Sequence, residues 1–270
     1  MATLNFWFEF GSPYSMVAAL RLLRALDGKP ASSTDAVNTL PSCQVPDLSG
    51  VRVVYRPMFL GAVFKAAGQQ MLPNVQVPVK ARYLFHDVER SLNLLECPGF
   101  PSSRPAHWPP NTLLAGHMAW MLTQGVDYVC ALDRNESPSG AAELEPDQLK
   151  LVAGFVWSVY EAEFISQMDI GNSNVMARLW DRHVVGAGAA APSGERAVAL
   201  AGQDAAKAGF KASTQAAIEN SVFGAPTFTT EDGDLYWGND RLIEAVHHHK
   251  LRHVQHQASG FCKAPSTAAL

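Results

Sequence analysis

The chain has 270 residues, 47% of them apolar and 17% charged, a balance that supports a packed core and excludes general disorder. A formal net charge of -4 offers no basic stripe for a phosphate backbone, and no apolar run approaches the roughly 20 residues that cross a bilayer. Nucleic acid and membrane are therefore not expected as partners. The start Met-Ala-Thr-Leu-Asn, with Glu9 inside the first apolar run, lacks the basic start and small-residue cleavage site of a secretory signal, so a cytoplasmic location is expected. Cys43, Cys97, Cys130 and Cys262 form no C-x-x-C pair and no metal-ligand spacing, and in a reducing compartment they are expected as free thiols. His247-His248-His249 reads as the polar end of a helix, because consecutive helical side chains point in different directions; no metal is expected there.

In chain order, Leu4 to Phe10 is aromatic-rich and predicts a buried strand. Gly11-Ser12-Pro13 follows, with Ser at the cap and Pro at the first helical position. The helix it opens runs to about Leu26 through Tyr14, Val17 and Leu20. Gly28 to Gly50, rich in Ser, Pro, Asp and Thr, predicts a long loop, and Val51 to Arg56 a second strand stopped by Pro57. Helical patterns then recur over Lys80–Leu95, Thr112–Gln124, Asp147–Gln167, Ser173–Val185 (with Ser173 as cap) and Glu195–Ala208. A polar loop is expected around Arg134 to Pro146. After a short helix over Ser213–Asn220, Pro226–Thr230 and Leu235–Trp237 flank a Glu-Asp-Gly-Asp turn and predict a hairpin. Gly238-Asn239-Asp240 then opens a last helix from Arg241 to about Val254.

The order β-α-β, helical block, α-β-β-α places the chain in the α/β class, as a thioredoxin-like domain with a large all-helical domain inserted between its βαβ and αββα halves. The expected division is 1–60 and 209–256 for the two thioredoxin-like halves, 61–208 for the insertion and 257–270 for a tail. In such a fold the start of the first helix holds the reactive group, because free N–H groups and the helix dipole stabilise an anion there. Here Ser12-Pro13-Tyr14-Ser15 stands where a redox enzyme carries two cysteines. Serines cannot shuttle a disulfide, but a serine hydroxyl can donate to a thiolate brought in by a ligand. Capping alone, worth about 1 kcal/mol, would also explain Ser12. Ala225-Pro226, before the third strand, is expected to be a cis bond facing that helix start, with the Ala225 backbone unpaired and open to an extended peptide ligand.

Phe6 to Ser15 (Phe-Trp-Phe-Glu-Phe-Gly-Ser-Pro-Tyr-Ser), Arg56-Pro57 with Leu60-Gly61, Pro78 to Arg90, Val222 to Phe228 and Tyr236 to Leu242 together resemble the 2-hydroxychromene-2-carboxylate isomerases, relatives of the kappa-class glutathione transferases in the DsbA-like group. The resemblance runs in order along nearly the whole chain. It implies bound glutathione, a homodimer, and isomerisation of 2-hydroxychromene-2-carboxylate or a similar aromatic-derived 2-oxo acid by reversible thiolate addition. It also implies roles for single residues. Ser12 stabilises the thiolate; Ala225 pairs with the cysteinyl part; Asn239 and Asp240 hold the γ-glutamyl end; Lys80 reaches the glycyl carboxylate. Gln69 and Gln70 stand where the family often has Gly-Asn, so Gln69 is a longer amide at a cofactor position. Asn111 and Tyr14 are expected on the substrate side, and His117 and Trp120 as packing residues. A kappa-like transferase or peroxidase would use the same binding residues, and a non-catalytic ligand-binding member of the group is a further alternative.

Overall fold

The computed structural model describes residues 2–28, 45–69, 77–101, 104–138 and 143–259, with side chains described to residue 252. Most of the expected 28–50 loop, Gln70, Cys43 and Cys262 lie outside these residues, as does the middle of the expected 134–146 loop.

A four-stranded sheet forms the centre, in the order β2-β1-β3-β4: β1 (Ala2–Phe8), β2 (Val51–Pro57), β3 (Thr227–Thr230) and β4 (Leu235–Trp237). β1 runs parallel to β2 and antiparallel to β3, and β3 and β4 form the antiparallel hairpin. The apolar run of β1 fits its place, since both of its edges and both faces are covered. On one face Phe6 stacks between Phe8 and Phe228, at 5.1 and 5.4 Å between ring centres, with Tyr55 edge-on to Phe6. On the other, Trp7 packs with Met58, Val63 and Val222 and donates its indole N–H to Thr229 Oγ1 at 2.8 Å. Truncating a ring such as Phe6 is expected to cost about 3–5 kcal/mol.

Helix α1 (Pro13–Leu26) follows β1, and α2 (Leu60–Ala66) follows β2. The helical layer comprises α3 (Pro78–Leu94), α4 (Leu113–Thr123), α5 (Val126–Asp133), α6 (Pro146–Tyr160), α7 (Ser173–Trp180), α8 (Gly194–Ala201) and α9 (Asp204–Glu219). α6 and α7 each continue into one π-helical turn, Glu161–Ile165 and Asp181–Val185. After β4 a 3-10 turn, Asn239–Arg241, leads into α10 (Leu242–Ser259). The order is the expected α/β arrangement, a thioredoxin-like fold with a helical insertion.

Several elements differ from the sequence reading. α5 falls where no helix was expected, and α2 was likewise unread. α7 is capped by Asn172, whose amide oxygen accepts from the N–H groups of Asn174 and Val175, and not by Ser173. The helical pattern from Glu195 breaks at Gly202-Gln203, and α9 then runs unbroken to Glu219, absorbing the expected short helix over 213–220. The expected boundary at 208/209 therefore falls inside one helix. Nor does the insertion have a core of its own: Phe6, Phe8 and Met16 share one continuous buried cluster with Phe155, Trp180 and Leu200.

α9 lies close against α4, and two glycines allow it. A Cβ on Gly209 would sit 2.0 Å from the Trp120 ring, and one on Gly116 would sit 2.5 Å from Phe210. His117 meets Phe210 edge-on at 5.2 Å. His117 and Trp120 are thus packing residues of this helix pair.

Candidate active site

The site grows from the start of α1. Ser12 is extended (φ -96, ψ 108), Pro13 holds the first helical position, and Ser12 Oγ accepts from the Ser15 N–H at 3.3 Å. Ser12 therefore caps the helix. Its hydroxyl proton does more: it donates to the carbonyl oxygen of Ala225 at 3.0 Å. The Ala225–Pro226 bond is cis, as expected. The Ala225 carbonyl is not unpaired, however, because Ser12 occupies it. The turn around it is tied by Thr227 Oγ1, which donates to the Gly224 carbonyl at 2.8 Å, and by the Gly238 N–H, which donates to the Pro226 carbonyl at 3.0 Å.

A cavity of about 690 Å³ opens over this pair. Phe59, Leu60, Phe64, Leu84, Trp108, Phe223 and Trp237 supply its apolar walls; Glu9, Ser12, Tyr14, Gln69, Lys80 and Thr112 supply its polar groups. Its rim carries exposed apolar surface: Trp237 and Phe223 lean on each other at 5.2 Å between ring centres, and both are more than a third exposed. A few well-placed polar groups in an apolar cleft is the usual constitution of a small-molecule site.

Of the residues singled out in the sequence, Ser12, Ala225, Tyr14, Lys80 and Gln69 line this one cavity. The Tyr14 hydroxyl donates to Asp87 Oδ2 at 3.0 Å, which fixes the ring. Gln69 Oε1 is buried and has no hydrogen-bond partner among the described residues. The other three lie off the wall. Asn239 is buried, and its side-chain and main-chain oxygens both accept from Arg21 of α1. Asp240 is exposed in the 3-10 turn, near enough to Tyr14 for its charge to oppose ionisation of that hydroxyl. Asn111 turns away and accepts from the Leu113 N–H at 3.3 Å; its neighbour Thr112 faces the cavity instead.

Sequence reasoning missed the most unusual group of the site. Glu9 lies just past β1, buried, with Oε2 accepting from the Gly11 N–H at 2.7 Å and with the Thr112 hydroxyl also on its carboxylate. Burial pushes the carboxyl up to about 7, against those two hydrogen bonds, and the charge of Glu163 adds to the rise. Tyr160 of α6 donates to the Glu9 carbonyl at 3.0 Å, so the insertion holds the end of the strand. Glu163, in the π-helical turn after α6, has no exposed side-chain surface; burial raises its carboxyl too, held back by the His107 imidazole at 3.0 Å. A signal existed: a lone acid in a strand otherwise buried on both faces needs a partner or a raised proton affinity. Nothing local points to Glu163 or His107, which are brought in from elsewhere by the helical layer.

Among the described residues no group of three or more His, Cys, Asp or Glu side chains could hold a metal ion, and no helix is long and apolar enough to cross a membrane. His247 and His248 are exposed, and His249 is buried. Cys97 and Cys130 are free.

A family model for the DsbA-like thioredoxin domain matches residues 3–101. Among solved structures, a 2-hydroxychromene-2-carboxylate isomerase superposes with a TM-score of 0.61 at 21% identity, covering 97% of this chain and 100% of that one. A putative protein disulfide isomerase from Nitrosomonas europaea gives 0.56 at 16% identity, covering 94% and 98%. A probable DsbA oxidoreductase from Streptomyces coelicolor gives 0.55 at 14%, covering 99% and 94%. At these identities the likeness is one of fold. No curated protein matches the chain.

Proposed function

From a DsbA-like thioredoxin fold whose first helix starts in serine, we propose that the chain is a glutathione-dependent isomerase of 2-hydroxychromene-2-carboxylate or a similar aromatic-derived 2-oxo acid. The observation that carries this reading is the Ser12–Ala225 hydrogen bond at 3.0 Å on the wall of the cavity. It joins the group that can favour a thiolate to the carbonyl that can take the ligand's cysteinyl N–H. When that N–H occupies Ala225, the Ser12 proton is released from the carbonyl and can be donated to sulfur. The dipole of α1 acts in the same direction. Bound glutathione would supply a thiolate that adds to an unsaturated carbon and leaves again, so that the substrate's double bond can turn.

The residues present fit such a ligand. Gln69 lines the cleft and offers its amide to the ligand's main chain. Lys80 offers a cation to a carboxylate, and Asp240, exposed near Tyr14, offers an anion to an ammonium. Asn239, through Arg21, holds the turn that carries Asp240. Phe59, Phe223 and Trp237 give a flat aromatic substrate surface to stack on.

The test is titration of the protein with glutathione across pH, following thiolate absorbance, together with product analysis on 2-hydroxychromene-2-carboxylate. A thiol pKa well below that of free glutathione, lost in Ser12→Ala, and turnover that leaves glutathione unconsumed are expected. Removing the donor should slow turnover by about 100-fold, while the fold survives the loss of a cap worth about 1 kcal/mol. Unchanged turnover in Ser12→Ala, or accumulation of a stable thioether, would overturn the isomerase.

A further inference from the structure

Forming a thiolate at Ser12 leaves a proton to be placed, and the cavity contains a group able to take it. Resting on the glutathione reading above, we propose that Glu9 is the acceptor of the thiol proton: the S–H bond breaks, the Glu9 carboxylate gains an O–H, and the site keeps a single negative charge throughout.

The geometry supports this role over a merely structural one. Glu9 and Ser12 line the same cavity, separated along the chain by the turn in which the Ser12 N–H donates to the Glu9 carbonyl at 3.1 Å. The carboxyl is fixed by the Gly11 N–H and by the Thr112 hydroxyl, itself on the cavity wall and able to pass a proton along. Among the described residues no cation contributes to the field at the Glu9 carboxyl. Its acidic neighbour, Glu163 beyond α6, is held separately by the His107 imidazole at 3.0 Å. The remaining ionisable groups around the site are Tyr160 of α6, which donates its hydroxyl to the Glu9 carbonyl, Tyr14 held by Asp87, and Lys80 on the cavity wall. Burial sets the carboxyl's titration at about 7. Just above that it is ionised and empty, and a new thiolate nearby raises its affinity for a proton further. Leaving both charges in a largely apolar cleft would be costly.

The test counts protons. Glutathione is added to wild type and to Glu9→Gln in weakly buffered solution, and proton release is read with an indicator dye against thiolate formed. Near pH 8 wild type should release almost no protons per thiolate, and Glu9→Gln close to one. Near pH 6, where Glu9 already holds its proton, wild type should also release close to one. Equal release from both proteins near pH 8 overturns the Glu9 acceptor and leaves the glutathione site standing. Absence of any thiolate in wild type overturns the glutathione reading itself, and the acceptor with it. If Glu9→Gln fails to fold, the wild-type count alone decides: release that does not fall between pH 6 and pH 8 rules out uptake by Glu9.

Discussion

The floor and the rim of the cavity are built on opposite principles. The floor is polar, buried and tied: Glu9, Thr112 and Ser12 hold one another or the backbone, and behind them Glu163 is held by His107. The rim is apolar and open, with Trp237, Phe223 and Phe59 each more than a third exposed. Charge placed in the floor is expensive and therefore tunable, whereas surface offered at the rim is cheap and adaptable. A site made this way fixes its chemistry below and leaves choice of substrate to the mouth.

The contrast can be broken hardest at the floor. His107→Ala leaves the buried Glu163 carboxyl with the Ile170 backbone N–H but without its imidazole, and urea melts near neutral pH should show a loss of about 3 kcal/mol. The loss should shrink on acidification, because burial raises the Glu163 carboxyl and its protonation removes the charge that the imidazole offset. An equal loss at about pH 5 and about pH 8 would mean that His107 acts by packing alone. Glu9 itself imposes a slope of the opposite kind from an ordinary ion-paired acid. Its folded value, about 7, lies above the ordinary 4.5, so the folded state binds the extra proton in that window. Stability should be full below about 4.5, fall as pH rises to about 7, and level off above. At about 1.4 kcal/mol per unit the total is about 3 kcal/mol. Glu9→Gln should flatten the profile, and a profile as steep in the variant would place the slope elsewhere. The smallest effect belongs to the rim. Trp237→Ala should raise the KM for 2-hydroxychromene-2-carboxylate by about tenfold, the worth of one aromatic contact, with the thiol pKa unchanged. A shifted thiol pKa would show that rim and floor are coupled.

The same division governs what could be read from the sequence. Ser12, Pro13 and the Ala225-Pro226 bond were legible because capping and X-Pro chemistry are local: each needs only its neighbours in the chain. The strands were legible because alternation and aromatic runs are local as well, and α1 ends at Leu26 as the pattern implies. Glu9 was not, since one acid among aromatics looks like a surface residue until Thr112, Tyr160 and Glu163 close over it from distant segments. Asn111 misled for a related reason. Its amide satisfies the N–H at the start of its own helix, and which of two adjacent polar residues turns inward depends on the loop's path rather than on composition. The break between α8 and α9 was hidden because Ala-rich sequence on both sides continues one helical pattern across Gly202-Gln203.

The placement of β1 between β2 and β3 also sets an order of assembly. Phe6 finds its parallel neighbour Tyr55 early, but its antiparallel neighbour is Phe228, and Trp7 reaches Thr229 across 222 positions. During synthesis one edge of an aromatic strand stays open while the whole helical insertion is made. Open edges of this kind recruit other strands, including those of neighbouring nascent chains. The last sixth of the polypeptide therefore closes the active site and the sheet, and a chain interrupted before Thr227 would leave that edge of β1 open.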